Sequence, residues 1–133
     1  MGKKTDDIIL RGSLEIALAA NDEREIERKR HYAFIWNRTK LISMSQNRMG
    51  RSPAMLRWHY PLSSVEHAEF AAIRKLNWLD CSKFTMVTFR LTKTGLLAFG
   101  KPCECCENVI RHVGFRKVWF SDDNREFKEM VLS

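Results

Sequence analysis

Residues 63–76, SSVEHAEFAAIRKL, followed by FTMVTFRL at 84–91, PCECCENVIRHVG at 102–114 and FRKVWF at 115–120, decide how this chain folds. In the first stretch Ser63-x-x-Glu66 has the form of a capping box. Val65, Phe70, Ile73 and Leu76 give it one apolar side, so it predicts a helix with His67 and Glu69 in its first turns. Phe84 to Leu91 is rich in β-branched and aromatic residues and predicts a strand, followed by a Thr94-Gly95 turn. Pro102 sits where a second helix would begin, Val109, Ile110 and Val113 are apolar along it, and Gly114 is its C-terminal stop. Phe115 to Phe120 predicts the next strand. Helix and strand alternate throughout, which is the pattern of an α/β protein.

The flanks extend that pattern. Leu10, Leu14, Ala17 and Leu18 recur at helical spacing and predict a first helix from Asp6 to Asp22, with the charged stretch Glu23 to Arg30 as an extension. Tyr32 to Trp36 and Leu41 to Ser45, separated by Asn37-Arg38-Thr39-Lys40, predict a β-hairpin, and Gln46 to Leu62 a long polar and basic loop. Asp122-Asp123-Asn124 is a turn, and Glu126 to Leu132 a short last strand. The Asp122 to Arg125 connection is too short for a parallel crossover, so that strand must run antiparallel to the one before it. No repeat or linker divides the chain, which predicts a single domain over residues 1–133.

With 44% hydrophobic and 29% charged residues, the 133-residue chain falls in the globular range. Its longest apolar runs are far below a membrane span and lack a signal-peptide layout, so a cytoplasmic protein without a membrane partner is expected. Three of four cysteines crowd into Cys103, Cys105 and Cys106, a poor disulfide framework and a better metal site. The net charge of +7 favours an anionic partner. Between Glu27 and Glu66 there is no acid, whereas Arg28, Lys29, Arg30, Arg38, Lys40, Arg48, Arg51 and Arg57 all fall there.

His67-Ala68-Glu69 and Pro102-Cys103-x-x-Cys106 together match the H-x-E and P-C-x-x-C signature of zinc deaminases. Cys103 and Cys106 are neighbours on one helix face, at a helix N-terminus that favours thiolates. One imidazole and two thiolates leave a tetrahedral Zn2+ with one open position. A closed structural site is the alternative, with Cys105, His59, Cys81 or His112 as fourth ligand. Helix geometry raises one difficulty: residues at i and i+2 do not share a face, so His67 and Glu69 reach one site only if the pocket wraps the helix end.

On these residues the chain resembles the cytidine and deoxycytidylate deaminase superfamily, over nearly its whole length. Lys101 to Cys106 and Val113-Gly114-Phe115-Arg116-Lys117-Val118 resemble small phage-type deoxycytidylate deaminases, and Ser45-Gln46-Asn47-Arg48 resembles the segment whose asparagine contacts the sugar. The resemblance implies a three-layer αβα fold with a mixed sheet of about five strands. It implies zinc-dependent hydrolytic deamination of a cytosine nucleotide, in which Glu69 moves the protons, the Ala68 main-chain N–H meets the base carbonyl and Asn47 meets the sugar. Arg48, Arg51 and Arg57, in the loop before the zinc helix, are candidates for a substrate phosphate, and Trp58, Tyr60, Trp119 or Phe120 for stacking on the base. The expected partners are a pyrimidine nucleotide and a second copy of the chain. Two alternatives remain: cytosine or adenosine deamination in single-stranded DNA or RNA, and an inactive zinc-stabilised nucleic-acid-binding module.

Overall fold

The computed structural model describes residues 3–21, 30–47, 54–58, 60 and 66–132. In chain order the elements are α1 (Lys3–Asn21), β1 (Arg30–Asn37), β2 (Lys40–Gln46), α2 (Ala54–Arg57), α3 (Ala68–Lys75), β3 (Thr85–Leu91), β4 (Leu97–Ala98), α4 (Glu104–Val113), β5 (Lys117–Ser121) and β6 (Phe127–Glu129). Five strands form one sheet in the order β2-β1-β3-β5-β6, and β4 adds a short antiparallel ribbon to β3. Among the described residues only β3 and β5 run parallel, joined through α4, and every other pair is antiparallel. The result is a three-layer αβα arrangement around a mixed sheet.

The period-2 alternation of strands sorts residues between the two faces. Tyr32, Phe34 and Trp36 of β1 join Val87, Phe89 and Leu91 of β3 in the layer beneath α1. Ala33, Ile35, Met86, Val118 and Phe120 face the other way, against Phe70, Ala72 and Ile73 of α3 and Val109, Ile110 and Val113 of α4. By the same alternation His31 and Thr88 belong to the α3/α4 face. β1 is central and therefore buried on both sides, the usual condition of an inner strand in a covered sheet.

The hairpin forms where expected, with Arg38 in the left-handed region at its turn. Gly114 ends α4 in that region at φ 73°, its N–H on the Ile110 carbonyl, and β6 pairs antiparallel with β5 as the short connection requires. Asp122 holds that connection by accepting from the Asn124 and Glu126 amides.

Four expectations are corrected. The fully buried line of α1 is Ile9, Ser13 and Ala17, and Leu18 is exposed, because Ser13 is needed inside to accept from the Trp36 indole at 2.8 Å. The stretch read as a continuous loop contains α2, which buries Met55. β4 was not foreseen, since two residues carry no periodicity. The α3 helix starts at Ala68, with His67 as N-cap; Glu66 is spent on a bidentate pair with Arg74, at 2.7 and 2.9 Å, and Ser63 lies outside the described residues. Among the described residues, no helix is long and apolar enough to cross a membrane.

Candidate metal centre

Two helix N-termini meet on one face of the sheet. His67 caps α3 with an extended backbone (φ −75°, ψ 156°), and its carbonyl accepts the first helical bond from the Ala71 amide at 3.0 Å. Cys103 caps α4 in a similar conformation (φ −68°, ψ 169°); its sulfur accepts from the Cys106 amide, and its carbonyl from the Glu107 amide. Pro102 therefore precedes the cap, two positions before the first helical residue, Glu104. These caps resolve the spacing difficulty: His67 is outside the helix and Glu69 is in its first turn, so the i, i+2 pair turns toward one point.

The His67 Nδ1 lies 3.4 Å from both Cys103 Sγ and Cys106 Sγ, and all three donor atoms fall within 4.8 Å of one another. Zinc bonds of about 2.3 Å to sulfur and 2.0–2.1 Å to nitrogen place tetrahedral N···S edges at about 3.6 Å, so the observed spacing fits that ion closely. Among the described residues no fourth donor joins the group. Cys105 and Cys81 form no disulfide and do not join the group, His112 lies against Trp58, and His59 is outside the described residues. A three-ligand set with an open position is what these residues offer.

The electrostatics suit a cation. The side-chain hydrogen bond from Cys106, working against burial and aided by His67, holds the Cys103 thiol at about 4. Burial pushes the Cys106 thiol well above its ordinary range. The hydrogen bond with Cys103 raises His67 despite burial. Tyr60 completes the surroundings, its hydroxyl 2.8 Å from Cys106 Sγ and its ring edge-on to His67 at 5.5 Å. Burial, with Cys106 beside it, pushes the Tyr60 hydroxyl far up, so it stays protonated and is a donor to a thiolate.

Glu69 is 2% exposed, and its Oε2 lies 3.3 Å from His31 Nε2. Thr88 donates its hydroxyl to the Tyr32 carbonyl, so its oxygen accepts from His31 Nε2 at 2.8 Å, which assigns the proton to that nitrogen. Burial alone pushes the Glu69 carboxyl up; the charge and hydrogen bond of His31, with help from its own backbone and His67, outweigh it and hold the group below the usual range. Its second oxygen, Oε1, is buried with no hydrogen-bond partner among the described residues. An orphaned carboxylate oxygen is costly unless something else meets it. Glu69 lines a cavity of about 240 Å³ together with His31, Asn47, His67, Ala68, Lys101 and Cys103.

The structure thus brings together His67, Cys103, Cys106, Glu69, Ala68 and Asn47. Asn47 is pinned at the end of β2, its Oδ1 accepting from the His31 amide at 3.2 Å and its own amide donating to the His31 carbonyl, which leaves its side-chain NH₂ for the cavity. Arg48 and Arg51 lie outside the described residues. Arg57 lines a different cavity, with Trp58, Trp78 and His112. None of the four candidate stacking aromatics lines the metal cavity: Trp119 is on the α1 face, Phe120 and Tyr60 are buried in the core, and Trp58 is beside Arg57. Two lining residues were missed, His31 and Lys101. His31 is brought in by strand pairing, which no local pattern announces; Lys101 was legible as the cation adjoining Pro102-Cys103. No protein-family model matches the chain, and comparison with curated proteins finds no match either.

Proposed function

We propose that this chain is a zinc-dependent deaminase that hydrolyses the amino group of a cytosine nucleotide to the uracil form and ammonia, as its resemblance to the cytidine and deoxycytidylate deaminase superfamily implies. The observation that carries the reading is the buried Glu69 carboxylate, one oxygen held by His31 and the other unpartnered, on a residue that lines a cavity beside a His-Cys-Cys donor set. A purely structural metal site has no use for such a group.

When bound at His67, Cys103 and Cys106, zinc supplies Lewis acidity and makes water a nucleophile near neutral pH. Glu69, held ionised and aimed by His31, would accept the two water protons in turn, passing the first to N3 of the ring and the second to the departing amine. The carbonyl oxygen gained by the ring comes from water, and the nitrogen leaves as ammonia. Ala68 presents its main-chain N–H at the positive end of α3, where a base carbonyl is received. Asn47 offers its NH₂ to the sugar, and Lys101 is the cation that lines the cavity for a phosphate.

The test is ammonia release by zinc-loaded protein from cytidine, deoxycytidine, their monophosphates and a short cytosine-containing strand. Turnover that disappears on chelation and returns with zinc is the expected result. Glu69→Ala should retain one zinc per chain and lose at least a hundredfold in rate, because general acid–base catalysis is worth roughly 10²–10⁴-fold. Protein that binds zinc yet releases no ammonia from any of these compounds overturns the reading and leaves a zinc-stabilised module.

A further inference from the structure

The connection between α3 and β3 enters the left-handed backbone region twice in succession, at Asn77 (φ 58°) and Trp78 (φ 61°). Asparagine adopts that region readily, but a bulky indole is a genuine outlier there, and strain of this kind gathers at binding sites. The strain achieves a placement. Trp78 stacks with Trp58, centroids 6.3 Å apart and planes 21° apart, and meets Phe70 edge-on at 5.3 Å. His112 meets Trp58 edge-on at 5.1 Å. With Arg57 at the exposed end of α2, Trp58, Trp78 and His112 line a cavity of about 380 Å³, separate from the metal cavity. Both indoles stay half-buried, and among the described residues neither indole N–H has a protein acceptor.

The same chain segments carry positive charge. Ser82 and Lys83 follow Trp78, Arg116 follows His112, and with Arg38 and Lys40 of the hairpin they line another cavity of about 660 Å³. Among the described residues no carboxylate lines either cavity. Stacked indoles beside spread cations are the combination by which proteins hold unpaired bases on a charged backbone.

We propose that Arg57, Trp58, Trp78 and His112 form a second base-binding subsite, in which an unpaired base of a single nucleic-acid strand stacks on the indoles while flanking phosphates meet Arg57, Lys83 and Arg116. A free nucleotide also has a base and a phosphate, but cations distributed over two cavities fit several phosphates. Phe70 and Tyr60 connect Trp78 to the metal ligand His67 through ring contacts of 5.3, 5.1 and 5.5 Å, which sets the two cavities within the span of a short strand. That the strand is also the substrate rests on the deaminase reading; the subsite itself does not.

The experiment is fluorescence anisotropy of a labelled oligothymidylate with the zinc-loaded full chain, thymine having no amino group to lose. Trp58→Ala should weaken binding roughly 10- to 100-fold. Arg57→Ala and Lys83→Ala, at exposed positions, should each lower the slope of log affinity against log salt by about 0.7. Circular dichroism and zinc content confirm that each variant is folded. Affinity and slope unchanged in the two exposed variants overturn the proposal, as does full displacement of the strand by thymidine monophosphate at equal nucleotide concentration. Oligothymidylate binding by protein that releases no ammonia from any of the cytosine compounds would sink the deaminase reading and leave the subsite standing; ammonia release from a mononucleotide without strand binding would do the reverse.

Discussion

Tyr60→Phe deletes one oxygen from an enclosed position and leaves the ring that packs on His67 and Phe70. Tyr60 is 4% exposed, and its hydroxyl sits 2.8 Å from Cys106 Sγ. That sulfur must become a thiolate to bind zinc, and the hydroxyl, kept protonated by burial and by the neighbouring Cys106, is placed to donate to it. A hydrogen bond to a charged group is worth about 1.5–3 kcal/mol, which converts to roughly 10- to 100-fold in zinc affinity, the range typical of groups that support a metal ligand. In zinc-free protein the sulfur is a thiol, so the same change should cost less than about 1 kcal/mol. Competition against a chromophoric chelator measures the affinity, and urea unfolding with and without saturating zinc separates the two contributions. Unchanged zinc affinity in a folded variant refutes the reasoning. So does an equal stability loss in both conditions, which would assign the hydroxyl to folding alone.

Gly100→Ala should destabilise by about 1–3 kcal/mol and weaken zinc binding, because its Cβ would stand 2.7 Å from the Arg90 backbone nitrogen and 2.7 Å from Ser121 Oγ, immediately before Lys101-Pro102-Cys103; an unaltered urea midpoint refutes it. Arg74→Met should cost about 1.5–3 kcal/mol, since it withdraws both guanidinium bonds from the buried Glu66 carboxylate, and a melting temperature within a degree of the parent would contradict it. In zinc-free protein at pH 6, iodoacetamide should label Cys103 first. Its exposed sulfur, held at about 4 chiefly by the Cys106 hydrogen bond, is ionised there, whereas Cys81, pushed by burial to about 11, is not; peptide mapping that finds Cys81 modified as fast counts against this.

Much of the site was legible because its donors announce themselves by type and spacing. Cys103 and Cys106 share a helix end at i and i+3, and His67-x-Glu69 opens another helix, so the triad and its carboxylate needed no structure to be named. Glu69's partner was not legible. The β1–β3 pairing sets Ala33 opposite Thr88, and the alternation of those strands turns His31 and Thr88 to the α3 face. That register depends on residues more than fifty positions apart, and a local window contains no information about it. The position of Arg57 was not legible for a related reason: it lines the cavity of Trp58, Trp78 and His112, whereas Lys101 lines the cavity of His67 and Cys103.

What the sequence alone determined is what short-range chemistry governs: the alternation of helices and strands, the Gly114 stop, the hairpin, and an antiparallel last strand forced by a connection too short to cross over. It also determined the donor set, since one histidine and two cysteines at helix starts are read from type and position. Tertiary structure decided which face each side chain joins and therefore what it does. Trp119 went to the α1 face and Tyr60 to the Cys106 sulfur, and His67 took an extended cap so that its ring and the Glu69 carboxylate converge. The physical reason is that helix and strand periodicities specify a direction only relative to their own axis. The direction toward the cavity exists only after the sheet has paired and the two helix N-termini have been packed against it.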